Sequence, residues 1–148
     1  MRTMILLGQL IAPVALFSSV ANAGELTFIA DAVNPGNGKN YKAYIDQSTI
    51  HREQAYQTVK LISIYDAPIS AAGYAGVKSM VNIFQTDCLR HVKRVTYIGF
   101  LNAQEQVIVE EKYQDAPDEP FGKGTVDLKV QAYLCMPPKA TDCCAAAI

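Results

Sequence analysis

Residues 77–86 form a strand that needs cover on both of its faces. Val77, Ser79, Val81 and Ile83 fall on one side, and Lys78, Met80, Asn82 and Phe84 on the other, because successive side chains of a strand point to opposite faces. Each set has apolar members, so the strand belongs inside a sheet rather than at its edge. The rest of the chain has to supply neighbours on both edges and a layer on at least one face.

The neighbours are legible as β-prone runs separated by turn chemistry. Residues 26–30 make a short strand, and Asn34-Pro35-Gly36-Asn37-Gly38 reverses the chain into a partner at 41–45. Asp46-Gln47-Ser48 begins a polar loop, and a strand over 56–65 follows, rich in β-branched residues (Thr58, Val59, Ile62, Ile64). Pro68, Gly73 and Gly76 mark 66–76 as a loop before the central strand. Residues 89–101 and 107–113 then pair through a hairpin at Asn102-Ala103-Gln104-Glu105. Two prolines, two glycines and three acids make 115–124 a loop.

After that loop the period changes. Val126, Val130, Tyr133 and Leu134 lie on one helical stripe, with Thr125 as candidate N-cap, Asp127 in the first turn and Met136-Pro137-Pro138 as the stop. Alternation of Val126, Leu128 and Val130 leaves a strand as the other reading. The expected fold is α+β: a single antiparallel, curled sheet of about six strands with one C-terminal helix.

The first 23 residues have the layout of a secretory signal. Arg2 is the positive end, residues 4–20 are largely apolar, and Ala21-Asn22-Ala23 offers a small-x-small cleavage step. The expected organisation is therefore a signal peptide at 1–23, a domain at 24–138 and a flexible, cysteine-containing tail at 139–148. No cysteine stands at the cleavage point to accept a lipid, and no downstream run is long and apolar enough to span a membrane. Removing Arg2 leaves twelve basic side chains against fourteen acidic, a net charge of minus two. That balance argues against nucleic acid as a partner.

Export places all four cysteines where disulfides persist. Cys88 directly follows the central strand and Cys135 ends the helix, so a bridge between them would fasten helix to sheet. Two free buried cysteines are the alternative, and Cys143 and Cys144 have no evident pairing. The cysteine spacing lacks the paired knuckles of a zinc site, and His91 is the nearest histidine. Neither His51 nor His91 sits in a catalytic motif, and Asp87 beside Cys88 would raise the thiol pKa, the wrong direction for a nucleophile. Gly36 and Gly38 belong to a turn, not to a phosphate-binding loop. The chain is expected to be no enzyme and to need no metal or cofactor.

Tyr44-Ile45-Asp46-Gln47-Ser48-Thr49-Ile50, the β run 59–66, Lys78-Ser79 leading to Asp87-Cys88, and a helix ending in Cys135 together resemble the surface-adhesin protein E family. The likeness covers about residues 26–137. It implies a single antiparallel sheet with a disulfide-tied helix, in exported proteins of Gram-negative bacteria. It also implies a non-catalytic adhesin that binds host matrix or serum proteins as a dimer. The chain departs from the family in lacking a lipid-acceptor cysteine and all tryptophan, with Phe28 and Ile62 in strand positions where tryptophan is common. A periplasmic accessory or inhibitor protein of the cell envelope is the alternative function.

Two surfaces are candidates for partners. Arg90, Lys93 and Arg94 concentrate positive charge in a slightly acidic domain and suit a host extracellular protein or an anionic envelope polymer; a solvated edge that resists aggregation is the plainer role. One short helix covers only one sheet face, so the second apolar set of the central strand calls either for a homodimer or for a sheet curled upon itself.

Overall fold

The structure is a computed structural model that describes residues 25–136. The expected signal segment, the tail and its Cys143 and Cys144 lie outside those residues. Six strands run in sequence order across one antiparallel sheet: β1 Leu26–Val33, β2 Asn40–Glu53, β3 Tyr56–Ala71, β4 Tyr74–Asp87, β5 Val92–Leu101 and β6 Val107–Lys112. A two-residue strand, β7 Glu119–Pro120, pairs with Val92 and Lys93 of β5, and the helix α1 spans Thr125–Cys135. The sheet is open, with β1 and β6 at its edges.

Two expected loops are strand instead. At 46–48 the chain stays in β2, because Asp46 organises an irregularity that replaces the missing ladder bonds. Asp46 Oδ1 accepts from Ser48 N (3.1 Å) and Ser48 Oγ (2.6 Å), while the Thr49 hydroxyl donates to Asp46 O (2.7 Å). The same Thr49 oxygen accepts the Lys60 amide across the gap at 3.2 Å. Residues 66–76 are the far end of a long hairpin. Ala71 pairs with Tyr74, and the two residues between them, Ala72 (φ 50°) and Gly73 (φ 82°), are both left-handed. Such a turn matches the twist of a hairpin. Pro68 is tolerated because it falls in the register shift between Ile64 and Ile69, where the ladder requires no amide donor. Lys78 Nζ closes this irregular stretch by donating to the carbonyls of Tyr65 (2.6 Å) and Asp66 (2.9 Å).

The third boundary difference lies at 88–91. Asp87, 5 % exposed, accepts the amides of Leu89 (3.0 Å) and Arg90 (3.1 Å), which turns the chain there. Thus β5 begins at Val92 rather than at Leu89, which is 91 % exposed in the turn.

Helix α1 covers one face of the sheet with Val126, Val130 and Leu134, packed on Ile29, Ala30, Ala43, Ile45, Val59, Leu61 and Phe84. Tyr133, expected on that stripe, is 40 % exposed and serves the flank, where its hydroxyl accepts from Gln47 Nε2 at 2.8 Å. Gly124 rather than Thr125 is the N-cap, and Asp127 turns back to accept the Gly122 amide at 2.8 Å. Cys88 and Cys135 form the disulfide, with Cα atoms 5.3 Å apart. It closes a separation of 47 residues, for which chain entropy gives about 4 kcal/mol. A second cluster, Tyr65, Ile69 and Val77, gathers Tyr41 from β2 and Ile108 from β6. This cluster lies at the β3–β4 hairpin end of the sheet, away from the disulfide.

Candidate binding face

Cross-strand partners share a face, so the register defines what the uncovered side of the sheet presents. One row runs across all six strands as Phe28, Tyr44, Ile62, Val81, Gly99 and Glu110. The next is Leu26, Asp46, Lys60, Ile83, Tyr97 and Lys112. A third takes in Asp31, Lys42, Ile64, Ser79, Leu101 and Val107. Phe28 is 50 % exposed, Leu26 45 % and Val107 52 %, while Tyr44, Ile62, Ile64, Ile83, Tyr97 and Leu101 are half-buried. The helix lies on the opposite face.

The apolar middle of this face is held in shape by its polar margins. Phe28 meets Tyr44 edge-on with ring centroids 5.7 Å apart. Gly99 leaves room for the Tyr97 ring, since a Cβ there would come within 2.6 Å of the Tyr97 hydroxyl. Lying across that glycine, Tyr97 donates to Glu110 Oε2 at 3.0 Å. Burial, and then this bond, push the Tyr97 hydroxyl above the ordinary tyrosine range. The bond from Tyr97 and the nearby Lys112 ammonium hold Glu110 below the ordinary carboxylate range. Toward β1, Lys42 donates to Asp31 at 2.6 Å, which raises the Lys42 pKa.

A second polar constellation stands at the β4–β5 end. Arg94 lies over the Tyr56 ring, its Cζ 3.6 Å from the ring centroid. Arg90 Nη2 donates to Tyr56 Oη (2.9 Å) and to Asp118, and Arg90 Nε donates to Asp87 Oδ2 (2.9 Å). Tyr56 Oη also donates to Asp118 Oδ2 at 3.1 Å. Arg90 holds both carboxyls below the ordinary range, and their bonds raise Arg90 in turn. Lys93 is not part of this group. It points to the helix side, where it donates to Asp127 Oδ1 at 2.8 Å and lies over Phe84 and Phe121. The structure thus brings Arg90 and Arg94 together and sets Lys93 apart. Sequence reasoning missed Tyr56 and Asp118 because each lies about 30 residues from Arg90, with no local pattern joining them.

The histidines stand apart from both groups. His51 is exposed, with Nδ1 3.2 Å from Thr49 O, and His91 sits left-handed (φ 54°) in the turn, 3.0 Å from Gln131 Nε2. A cleft of about 620 Å³ lies between residues 113–117 and the side chains of Val95 and Ile98. Among the described residues no helix is long and apolar enough to cross a membrane.

The described residues thus form an open antiparallel meander with one disulfide-tethered helix and a half-exposed apolar face. The sequence model of the surface-adhesin protein E family matches residues 31–136, and the chain belongs to that family. Membership places it among exported or surface proteins. No curated protein and no solved structure matches the chain.

Proposed function

We propose that the protein is a non-catalytic adhesin that binds a host matrix or serum protein through the open face of its sheet. The observation that supports this is the set of three cross-strand rows, whose apolar and aromatic centre is framed by paired charges. Faces with an apolar centre and a polar rim suit protein partners, and contiguous apolar patches of this kind mark interaction sites. Binding of the mature protein to immobilised matrix and serum proteins tests the reading. Ile62→Lys, in the middle of the first row, should abolish that binding without altering the thermal transition; retained binding would remove the face from the function.

The ordinary signal layout, without a lipid-acceptor cysteine, favours a second reading as a periplasmic accessory or inhibitor protein of the envelope. Cell fractionation separates the two. An adhesin has to be recovered outside the outer membrane, and recovery in the periplasm alone would favour the accessory role. A second copy of the chain is the other natural occupant of the open face.

A further inference from the structure

The segment 113–120 crosses the end of β5 as a strap. Beyond β6, whose last pair is Lys112 with Tyr97, the edge of β5 is covered by one backbone bond, from Tyr113 N to Thr96 O (2.9 Å), and by the two pairs of β7. Every strap residue except Ala116 is exposed, and the cleft of about 620 Å³ separates it from Val95 and Ile98. Few buried contacts therefore hold it down, which is the condition for low-energy local opening. Asp118 fastens it by taking donors from Arg90 and Tyr56, and just beyond it Phe121 packs against the core and Gly122 is tied to Asp127.

Asp118 only partly satisfies the group it enters. Arg94 Nε lies 3.7 Å from Asp118 Oδ1, too far for a hydrogen bond, and is buried without a partner among the described residues. A buried guanidinium nitrogen without an acceptor is costly. The guanidinium nevertheless lies over the Tyr56 ring, its Cζ 3.6 Å from the centroid, and a guanidinium can take a carboxylate with two parallel bonds. Beside it runs a strand edge that already accepts an extended segment carrying Asp118 and Glu119.

We infer that Tyr56, Arg90 and Arg94, with the neighbouring edge of β5, form a docking site for an extended acidic peptide of a partner protein, and that the strap occupies it in cis through Asp118. The partner adds a short strand at Val92 and Lys93 and places a carboxylate on Arg94, as strand-adding ligands do. Because the strap is tethered, it competes at a high effective concentration, and the site binds in trans only when the strap is displaced. The site lies on the same side of the sheet as the open face, at the β4–β5 end beyond the three rows, and its docking chemistry does not depend on the adhesin reading.

Fluorescence anisotropy of the mature protein with a labelled synthetic peptide copying residues 114–121 tests this. The wild type should bind weakly, and Asp118→Asn should tighten binding by about tenfold, one lost charge-assisted contact of the competitor. Adding Arg94→Gln to that variant should remove the gain, and raised salt should weaken it. Tyr56→Phe, which leaves the ring and the fold, should remove part of it. Equal affinity for wild type and Asp118→Asn, or a gain that survives Arg94→Gln, would overturn the proposal. A sulfated oligosaccharide bound at these arginines in place of the peptide would overturn it as well.

Discussion

Asp46 carries the part of the 44–50 stretch that the family resemblance quotes, and its contacts are structural. It is buried, bonds Ser48 twice, and lies 3.5 Å from Lys60 Nζ, so its carboxylate stands in for ladder bonds across a register shift. The polar residues at 46–48 were legible as a departure from regular strand, but not as one that stays within the sheet, because the bonds that make it possible come from Thr49 and Lys60. Ala72 is a different case. It adopts φ 50° beside Gly73, a conformation that costs a residue with a Cβ roughly 1–2 kcal/mol. Asn is preferred at that position of a two-residue hairpin turn. Ala72→Asn should therefore raise the unfolding free energy by on the order of 1 kcal/mol; urea denaturation would measure it, and an unchanged or lower midpoint would refute it. Ala-Gly is a weak turn signal in sequence, which is why 66–76 reads as a loop although its ends pair.

Among the elements, the helix was the most legible and the basic patch the least. Val126, Val130 and Leu134 fall on one helical stripe, although Val126, Leu128 and Val130 also alternate, and Cys135 ends the helix where the disulfide needs a partner for Cys88. Arg90, Lys93 and Arg94 are close in sequence, but Asp87 turns the chain at Arg90 and the pleat sends Lys93 to the opposite face. Their carboxylate partners arrive from the strap and the helix, and composition cannot reveal that. The helix rests on three buried side chains, so the disulfide supplies a large share of what keeps it docked. Replacing both Cys88 and Cys135 by Ser should lower stability by about 4 kcal/mol. Hydrogen exchange should show α1 opening before β2–β4, since those strands hold the rest of the core. Equal protection loss in helix and sheet would mean that the tether stabilises the domain only globally.

For the molecule as a whole, the question raised by a strand apolar on both faces has two answers in one structure. At the hairpin end Val77 is fully buried against Tyr65 and Ile69 within the chain. Across the middle the sheet stays open, and Ile62, Ile64, Ile83 and Tyr97 are only half-buried, with Phe28 at 50 % exposure on the margin. Packing within the chain therefore covers part of the second apolar set and leaves the rest half-exposed. A host protein and a second copy of the chain would compete for that surface. An isologous contact about a two-fold axis would pair the same rows with each other, placing Phe28 and Tyr44 against the partner's apolar centre. Sedimentation of the mature protein at micromolar concentration, with reductant to exclude tail disulfides and with the Cys88–Cys135 bridge confirmed intact, should show a monomer and dimer in exchange. Ile62→Lys should shift it to monomer, because two such charges would be buried face to face without partners. A host ligand bound to the open face should do the same. A wild-type monomer at every concentration would exclude self-association through this face.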